Sequence, residues 1–392
     1  MNKNILNTGV QNFITEKINT DIVSVLLKGA LFDDVSNREL AEQLESRKKC
    51  QKKLPTWFRT PGIYYPRKLH IEQSSSETTA RHKASITTGK SLVDLTGGFG
   101  VDSYFFSKNY DRVHHCETNP ELSEIAAHNF QILGVDNITA IAQDGIEFLK
   151  TTSATFDCIY LDPSRRSESN QRVFRLSDCS PDVTEHLSLL FSKAPTILLK
   201  TAPLLDITMG LTELDHVKEI HIVAIENDVK ELVWVMEREF EGDISIKTTN
   251  FTKTTVQQFD FNREDEKVAT PKYSNAQNYL YEPNSAILKS GAFKTLAQRL
   301  DLPKLHRHTH LYTSGTPIDF PGRAFKVNTV IPYNKKAIKE LQIKKANITT
   351  RNFPETVAQL RKKFRIRDGG SDYLFFTRQN EDDLVLIQCA KV

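Results

Sequence analysis

Between about residue 70 and residue 240, short apolar segments alternate with amphipathic stretches of helical spacing. The apolar segments, each a strand candidate, are residues 92–95, 113–116, 138–141, 158–161, 197–199, 220–225 and 232–236. Asn119-Pro120-Glu121 and Ser180-Pro181-Asp182 each place a capping residue before a proline, which predicts that a helix begins there. Strands that alternate with helices favour an α/β fold with a doubly wound, parallel sheet. Residues 226–231 are too few for a helix, so the last two strands must form an antiparallel hairpin at the sheet edge.

The rest of the chain differs from this region in composition and periodicity. Near the N-terminus, Ser36 and Glu39 have the spacing of a capping box at the start of a helix. Threonine and charged residues dominate the stretch that follows the alternating region, which is typical of a linker. The predicted parts are an N-terminal helical segment (1–68), the alternating domain (69–241), a linker (242–275), a small intermediate module (276–324) and a basic, small α+β domain (325–392).

Basic charge is concentrated in the C-terminal part of the chain. The net charge is only +3, but residues 250–392 contain 24 Lys and Arg against 14 Asp and Glu. The first 249 residues therefore carry 28 basic against 35 acidic side chains, and within residues 324–367 the ratio is 12 to 2. A basic appendage predicts a polyanionic partner, and RNA is our first candidate. A solvated face that only aids solubility is the alternative.

Cysteine usage and hydropathy exclude several classes of protein. The five cysteines are scattered and form no CxxC pair, which disfavours a disulfide framework or a thiolate zinc site and favours a reducing compartment. No segment approaches the roughly 18 uncharged apolar residues of a membrane span. Residues 1–10 lack the apolar core and cleavage pattern of a signal peptide. We therefore expect a cytoplasmic protein without a membrane partner.

A glycine-rich turn follows the first predicted strand, in Asp94-Leu-Thr96-Gly-Gly98-Phe-Gly100. Glycines there allow a sharp turn and a close approach to a ligand, near the N–H groups of the next helix. The turn fails as a dinucleotide fingerprint, because Ser103 stands where the third glycine belongs. It also lacks the Gly-Lys-Ser/Thr of a phosphate-binding P-loop.

Carboxylates end the next three predicted strands. Glu117 ends the second strand, where it can accept hydrogen bonds from two ribose hydroxyls. Asp144 ends the third, where it can receive an adenine amino group, and Asp162-Pro163 ends the fourth. Open α/β sheets bind ligands outside the carboxyl ends of their strands. Each carboxylate alone is also typical of a helix cap or a turn, but four acidic ends in order favour a ligand site.

Residues 70–240 resemble a class I S-adenosylmethionine-dependent methyltransferase. The matching positions are Asp94, Gly98, Gly100, Glu117, Asp144 and Asp162-Pro163. Thr96 stands where the family usually has another glycine, which is similar to the form common among its RNA-modifying members. The resemblance implies a Rossmann-like sheet and S-adenosylmethionine as cofactor. The residues it implies for cofactor binding are Asp94, Thr96, Gly98, Gly100, Glu117, Asp144 and Asp162. The resemblance implies a catalytic role for Asp162 and Pro163. Arg165, which stands where the family pattern differs, is our third catalytic candidate, and we predict no metal site.

The complete chain is similar to a bacterial group in which such a domain precedes a small ferredoxin-like module and a C-terminal THUMP-like domain. Within residues 69–84, the segments Glu72-Gln-Ser-Ser-Ser-Glu77 and Thr79-Ala80 carry this resemblance. Asp162-Pro163-Ser164-Arg165-Arg166 carries it as well. The resemblance implies that residues 276–324 are ferredoxin-like and that residues 325–392 are THUMP-like.

The residues after Asp162-Pro163 leave the acceptor open. An Asp-Pro turn can offer a hydrogen-bond acceptor to a nucleophilic amine, but relatives that methylate amines usually continue with proline and an aromatic residue, where this chain has Ser164 and Arg165. An arginine plane can stack on a base. Alternatively, Arg165 and Arg166 bind a substrate phosphate or neutralise Glu168 at the surface.

Two groups of reactive side chains have simpler interpretations. Cys158 lies in an apolar strand and is predicted to be core. Cys179 follows the Asp-Pro loop and could be exposed, but no activating base is evident for a thiolate mechanism. His306, His308 and His310 would share one strand face, yet no carboxylate or cysteine pattern supports a metal site.

The basic C-terminal region contains the basic and aromatic side chains that RNA binding requires. Its principal cluster is Arg361, Lys362, Lys363, Arg365 and Arg367. Tyr373 and Phe375 share a strand face that either stacks bases or fills a core, and the core interpretation is favoured. The sequence thus predicts an S-adenosylmethionine-dependent methyltransferase that acts on an RNA nucleobase. The alternatives are a methyltransferase of a protein or small molecule, and a non-catalytic RNA-binding protein with a methyltransferase-like scaffold.

Overall fold

A computed structural model describes residues 1–165 and 175–392, without the side chain of Arg165. The described chain divides into two compact units. Unit 1 contains residues 1–217 and 233–241, and unit 2 contains residues 218–232 and 242–392.

Unit 1 contains most of the alternating strands and helices. Its helices are α1 (Thr8–Glu16), α2 (Ile22–Leu26), α3 (Asn37–Lys53), α4 (Pro55–Arg59), α5 (Lys68–Gln73), α6 (Glu77–Ala84), α7 (Val101–Phe106), α8 (Pro120–Ile132), α9 (Gly145–Thr151), α10 (Val183–Lys193) and α11 (Ile207–Glu213). The strands within residues 1–217 are β1 (Gly89–Asp94), β2 (Tyr110–Cys116), β3 (Ile138–Ile141), β4 (Cys158–Leu161), β5 (Ser164–Arg165), β6 (Cys179–Ser180) and β7 (Thr196–Thr201). Short 3₁₀ turns occupy Lys3–Leu6 and Leu176–Asp178.

The sheet of unit 1 contains the strand order β3-β2-β1-β4-β7, and these neighbours are parallel. Leu92 of β1 pairs with Val113 on one side and with Cys158 on the other. All three side chains are buried, as expected for a parallel sheet covered on both faces. The predicted doubly wound α/β fold is confirmed. Because β1 lies between β2 and β4, the loops after these three strands meet at one edge of the sheet.

The predicted hairpin exists, but it does not form the edge of its sheet. β8 (Val217–Ile225) and β9 (Asp228–Glu237) are neighbouring strands joined by Glu226 and Asn227. Both joining residues have positive φ, 50° and 66°, which is the geometry of a two-residue type I′ turn. On its other side β8 pairs in parallel with β10 (Ser245–Phe251), and β10 pairs with β11 (Val256–Asn262). The predicted edge position is therefore wrong, since β11 ends the strand order.

The residues that form β10 and β11 were expected to belong to a linker. Their threonines are β-branched, and such side chains favour strands as much as polar residues favour loops. Ile246, Thr248 and Asn250 alternate along β10 and are all buried. The linker was predicted from the number of polar residues, which does not reveal this alternation. A short helix, α12 (Arg263–Val268), completes the segment.

The N-terminal residues share one hydrophobic core with the parallel sheet. Ile5, Leu40 and Trp57 belong to the same buried cluster as Leu92 and Tyr160. Residues 1–68 are therefore part of unit 1 and not a separate helical body. The predicted capping box is confirmed at the start of α3, where Ser36 accepts a hydrogen bond from the N–H of Glu39 and donates its own N–H to the Glu39 carboxylate.

Unit 2 contains a second sheet, in the strand order β13-β14-β12-β15-β18-β17-β16. Its strands are β12 (Tyr279–Pro283), β13 (Lys304–His306), β14 (Thr309–Ser314), β15 (Gly322–Pro332), β16 (Lys345–Thr350), β17 (Arg367–Gln379) and β18 (Asp383–Lys391). Its helices after α12 are α13 (Ser285–Ser290), α14 (Lys294–Arg299), α15 (Lys335–Glu340) and α16 (Val357–Phe364).

The two predicted C-terminal modules form one sheet and share one core. β12 comes from the expected intermediate module, and it pairs with β15 from the expected basic domain. Leu280 and Leu305 pack in the same cluster as Phe325 of β15 and Phe375 of β17. Residues of β18 belong to this cluster as well. A boundary near residue 324 therefore falls within a continuous set of strand pairs.

The other face of the second sheet is covered by α15 and α16. Leu360 of α16 packs with Leu374 and Phe376 of β17. Phe375 is buried on the opposite face, in the cluster that contains Leu280 and Phe325. Tyr373 packs against that cluster as well. The core interpretation of these aromatic residues is confirmed.

Candidate active site

The loop after β1 is organised by Asp94, whose side chain is 1% exposed. One carboxylate oxygen accepts a hydrogen bond from the Ser103 hydroxyl at 2.6 Å, and the other accepts the N–H of Thr96 at 3.0 Å. Asp94 thus connects the end of β1 to the first turn of α7. Burial, followed by the nearby carboxylates of Asp102 and Asp162, raises the pKa of Asp94 to about 7 despite these two donors.

Thr96 joins the first loop to the loop after β4. Its hydroxyl accepts the N–H of Asp162 at 2.7 Å, while its own N–H is held by Asp94. A glycine at this position would have no hydroxyl to accept that bond. The departure from the extra glycine of the family pattern therefore has a structural role.

Three glycines bring the loop close to its surroundings. Gly98 and Gly100 have positive φ, 55° and 85°, a region that glycine adopts readily. A Cβ at Gly97 would overlap the imidazole of His115, and one at Gly100 would lie 2.5 Å from the ring of Phe130 on α8. The His115 ring therefore forms the floor of the loop, and burial lowers its pKa.

Glu117 follows β2 and connects the glycine loop to the start of α8. One oxygen accepts the N–H of Gly98 at 2.9 Å, and the other accepts the N–H of Asn119 at 2.7 Å. Asn119 in turn caps α8 through the N–H groups of Glu121 and Leu122, as predicted. The half-buried Glu117 side chain remains accessible at this edge.

Asp144 follows β3 and caps α9. Its Oδ1 accepts the N–H groups of Ile146 and Glu147 at 2.9 and 3.0 Å. The side chain is exposed. The cap interpretation weighed for such carboxylates therefore holds here, and a ligand would have to use the second oxygen. Gly145 has no room for a Cβ, which would overlap the carbonyl of Leu95.

Asp162 follows β4 and forms an ion pair with Lys200 near the end of β7. Nζ of Lys200 lies 2.5 Å from Oδ2 of Asp162, and the two side chains are 15% and 28% exposed. Lys200 was not identified from the sequence. A single lysine in a buried strand was the signal, since burial of an ammonium group requires a partner.

The Asp-Pro loop continues into a small antiparallel ribbon. Ser164 pairs with Ser180, and the backbone of Arg165 pairs with Cys179. The Arg165 side chain, together with Arg166 and Glu168, lies outside the described residues. Because Ser180 belongs to this ribbon, α10 begins later than predicted and is capped by Asp182.

The two cysteines near this loop are core residues. Burial raises the pKa of the Cys158 thiol to about 12, which confirms its predicted place in the core. Cys179 is also buried, so of the two possibilities left open for it, exposure is excluded. Its Sγ lies 3.9 Å from the carbonyl oxygen of Arg175, at the start of the turn that precedes β6.

A buried polar network lies beneath the glycine loop. Lys83 of α6 lies 3.2 Å from Oδ1 of Asp102, while Ser75 and Tyr160 donate their hydroxyls to Oδ2 of Asp102 at 2.7 and 2.9 Å. Lys83 also donates to the Ser75 hydroxyl at 3.0 Å. Burial opposes ionisation of Asp102, but the attraction of Lys83 and Lys200 and these hydrogen bonds hold its pKa below the ordinary value.

The segment 72–80 contributes Ser75 to this network and makes two further contacts. Glu77 accepts the N–H and hydroxyl of Thr56 at 2.5 and 2.9 Å, which binds α6 to the start of α4. Ser76 accepts the N–H of Thr79 and caps α6. The segment that gave the most specific sequence resemblance therefore contacts α7, the helix that follows the glycine loop, through Ser75 and Asp102. Their structural roles were missed, because no single-residue pattern indicates a contact with α7.

Lysines of three elements surround the carboxylates of this region. Lys53, at the end of α3, donates to the carbonyls of Ile71 and Glu72 at 2.8 and 2.7 Å. Burial, followed by repulsion from Lys200, lowers the pKa of Lys53 to about 8. Lys53 therefore lies within electrostatic range of Lys200, the ion-pair partner of Asp162.

The histidines of unit 2 have structural contacts. Nδ1 of His306 accepts the N–H of His308 at 3.0 Å and lies 3.1 Å from Nδ2 of Asn352. His310 stacks on Phe293, and burial lowers its pKa to about 4. Within residues 1–165 and 175–392, no group of three or more His, Cys, Asp or Glu side chains has the arrangement of a metal site.

The basic cluster of the tail contains two kinds of side chain. Arg361 forms an ion pair with Asp368, and Lys363 lies 2.9 Å from Glu355. The other three members, Lys362, Arg365 and Arg367, are exposed. These three side chains are therefore open to solvent.

The strand order and the acidic strand ends define a class I methyltransferase, and comparisons with known proteins agree. Residues 89–187 match the family described as RNA cap guanine-N2 methyltransferase. Residues 279–321 match a ferredoxin-like domain and residues 322–391 a domain described as THUMP domain-like. A solved structure from Porphyromonas gingivalis W83, provisionally described as a methyltransferase, is 32% identical, covers 98% of both chains and has a TM-score of 0.89. The chain belongs to the same methyltransferase family as that protein.

Two curated relatives match shorter parts of the chain. An uncharacterized RNA methyltransferase of Mycoplasma mobile is 26% identical over 156 residues, which are 38% of this chain and 42% of the relative. An uncharacterized protein of Methanothermobacter thermautotrophicus is 30% identical over 82 residues, which are 21% of this chain and 32% of the relative. The chain thus spans less than half the length of each. Among the described helices, none has the length and apolar character needed to cross a membrane.

Proposed function

We propose that this protein uses S-adenosylmethionine to methylate a nucleobase of RNA. The observation that supports the proposal best is the connected set of strand ends. Asp94 and Thr96 hold the loop after β1 to Asp162, and Glu117 holds the same loop to α8. One ligand that spans these loops would contact residues from four consecutive strand ends, as expected at the carboxyl edge of a doubly wound sheet.

The residues of this edge fit the cofactor. Gly98 has left-handed backbone, and a Cβ there would lie 3.9 Å from the carbonyl oxygen of Thr96, an ordinary contact, so the loop surface at Gly98 is not crowded. Both oxygens of Glu117 hold backbone N–H groups, and each carboxylate oxygen can accept a further bond, so Glu117 can also bind ribose hydroxyls. Asp144 uses Oδ1 for its cap, and we assign Oδ2 to the adenine amino group.

Bound S-adenosylmethionine would supply an electrophilic methyl group, and the chain would position the acceptor. Lys200 occupies Oδ2 of Asp162. We assign Oδ1 to an N–H of the acceptor, so that the lone pair of its nitrogen is held in line for displacement. Pro163 restricts the backbone beside it. Arg165 remains a proposed base-stacking or phosphate-binding residue.

RNA is the proposed acceptor for two reasons. The matched family and the Mycoplasma mobile relative are both described by RNA methylation. In addition, Lys362, Arg365 and Arg367 are exposed basic residues of a domain that matches a THUMP-like family. Their charges can attract the RNA backbone without reading its sequence.

Calorimetry with S-adenosylhomocysteine tests the cofactor site. Glu117→Gln removes the charge from the proposed ribose contacts, so we expect affinity to fall at least about tenfold, since hydrogen bonds to charged groups contribute about 1.5–3 kcal/mol. Glu147→Gln is the matched control, because Glu147 is exposed and pairs with Lys150. Equal affinities of the wild type and Glu117→Gln would contradict the assignment.

Mass spectrometry of nucleosides tests the acceptor. RNA from a strain that lacks the gene is incubated with purified protein and isotope-labelled S-adenosylmethionine. We expect one labelled nucleoside with the wild type and none with Asp162→Asn, whose RNA and cofactor affinities should remain. Label in protein or small molecules instead of RNA would favour the second enzyme interpretation. Binding of both RNA and cofactor without any transfer would favour the non-catalytic scaffold.

A further inference from the structure

A buried carboxylate in unit 2 holds two arginines. Glu282 of β12 is 2% exposed and lies directly opposite Arg323 of β15 in the strand register. Leu280, two residues earlier, packs in the hydrophobic core of the second sheet. Since alternate residues share a face, Glu282 lies on the core face at the end of β12, where an unpaired charge would be costly.

Each oxygen of Glu282 is assigned to a different arginine. Nε of Arg323 donates to Oε2 at 2.9 Å, and Nη2 of Arg323 contacts the same oxygen. Nη2 of Arg351, the residue after β16, lies 2.5 Å from Oε1. Arg323 and Arg351 are far apart in the strand order, so the shared carboxylate fixes two guanidinium groups that come from different parts of the sheet.

The group carries more positive charge than Glu282 needs. One guanidinium would neutralise the carboxylate, and the second leaves a net charge of +1 at a site where both arginine side chains are 39% exposed. Further contacts restrict the guanidinium groups, since Arg351 donates Nη1 to the carbonyl of Thr350 at 2.8 Å and Arg323 stacks over Phe325. In the described part of the chain, Nη1 of Arg323 and Nε of Arg351 have no hydrogen-bond partner.

We propose that Arg323 and Arg351 form a phosphate-binding site for RNA, oriented by Glu282. Planar guanidinium groups with fixed orientation bind phosphate oxygens through charge-assisted, paired hydrogen bonds. Prior orientation by a buried carboxylate reduces the entropy lost on binding. An RNA phosphodiester is favoured over a free anion, because residues 324–367 carry 12 basic and 2 acidic side chains. This inference rests on the proposed RNA acceptor and assigns it a contact in unit 2.

Binding of total bacterial tRNA over a range of salt concentrations tests the site. For Arg323→Gln and Arg351→Gln, we expect the slope of log affinity against log salt to fall by about 0.7–0.9 each, the contribution of one phosphate contact. We expect Kd to rise about tenfold for each at low salt, as loss of a charged hydrogen bond predicts. Arg299→Gln is the matched control, because Arg299 is 45% exposed and pairs with Asp265 in the same unit, and its slope and Kd should equal those of the wild type.

A charge-balanced variant separates the two-arginine arrangement from net charge and from stability. Arg351→Gln combined with Glu282→Gln keeps the local charge at +1 and leaves no buried carboxylate with a missing partner. We expect this double variant to melt close to the wild type and still to lose RNA affinity. Wild-type affinity and slope in this double variant would overturn the proposal, as would wild-type behaviour of both single variants.

The remaining outcomes separate this inference from the proposed function. If the wild type methylates RNA but the arginine variants bind tRNA like Arg299→Gln, only the phosphate site is refuted. If the wild type neither binds nor methylates RNA, the proposed function fails and the inference fails with it. If inorganic phosphate raises the melting temperature of the wild type and tRNA does not compete with it, the site binds a free anion. This result would overturn the RNA assignment.

Discussion

Replacement of Lys83 by methionine should destabilise unit 1 without changing any residue at the carboxyl ends of the strands. Lys83 is fully buried, and its ammonium group pairs with Asp102 and donates to Ser75. Methionine has a similar length and no charge, so it fills most of the space and leaves the Asp102 carboxylate buried without its cation. The perturbation therefore isolates the ion pair from the packing.

The expected loss of unfolding free energy is about 3 kcal/mol near neutral pH, since removing one partner of a buried pair costs about 3–5 kcal/mol. The lower end applies because Ser75 and Tyr160 still donate to Asp102. In the wild type the pKa of Asp102 is lowered, so its contribution is present above the unfolded value and is lost as the pH falls through the folded value. Without Lys83, burial raises this pKa, and the difference between the two proteins should shrink in acid.

Tryptophan fluorescence during urea unfolding measures this effect with probes that lie in unit 1. The chain has two tryptophans, and Trp57 and Trp234 are both fully buried and belong to unit 1. Lys68→Met is the control, because Lys68 and Glu45 are 3.8 Å apart and each 42% exposed, and such a surface pair contributes less than about 1 kcal/mol. Equal unfolding free energies of Lys83→Met and Lys68→Met at pH 7 would refute the reasoning.

Two further predictions concern the glycine loop. The pKa of Asp94 is raised from 3.8 to about 7, so its contribution to stability is present below its unfolded value and is lost as the pH rises through 7. Urea unfolding from pH 4 to pH 8 should therefore show Asp94→Asn gaining stability relative to the wild type as the pH rises, and a constant difference would contradict the raised pKa. Gly97→Ala should weaken S-adenosylhomocysteine binding at least about tenfold, or 1.4 kcal/mol, because the new Cβ would overlap His115. Gly29→Ala, where no atom lies within 4 Å of a Cβ, should bind like the wild type in the same calorimetry.

The parallel sheet was predictable because its signals are local. Strands such as Cys158–Leu161 are continuous apolar runs, and Asn119-Pro120 marks a helix start from three adjacent residues. General rules for parallel α/β folds then restrict the possible strand orders to a few. β10 was missed because threonine serves both loops and strands, and only the pairing with β8 decides between them.

Long-range polar contacts explain what the sequence did not predict at the site. The Lys83–Asp102 pair joins residues 19 positions apart, and Lys200–Asp162 joins residues 38 positions apart. No spacing rule connects such pairs, since their approach depends on how helices pack on the sheet. A buried lysine can still be suspected wherever a single charge interrupts an apolar strand, as at Lys200.

The acidic strand ends, which look equivalent in the sequence, have different roles in the structure. Asp94 is enclosed, and its two oxygens bind Thr96 of its own loop and Ser103 of α7, so we expect it to affect cofactor affinity through the shape of that loop. Glu117 is half-buried and accessible, so its effect should come from direct contact. These roles are separable by measurement, because Asp94→Asn should change stability in a pH-dependent manner whereas Glu117→Gln should change cofactor affinity with little effect on unfolding. Asp94, a buried carboxylate that holds a loop, and Glu117, a half-buried one that we expect to contact the cofactor, thus share one sequence pattern, and burial distinguishes them.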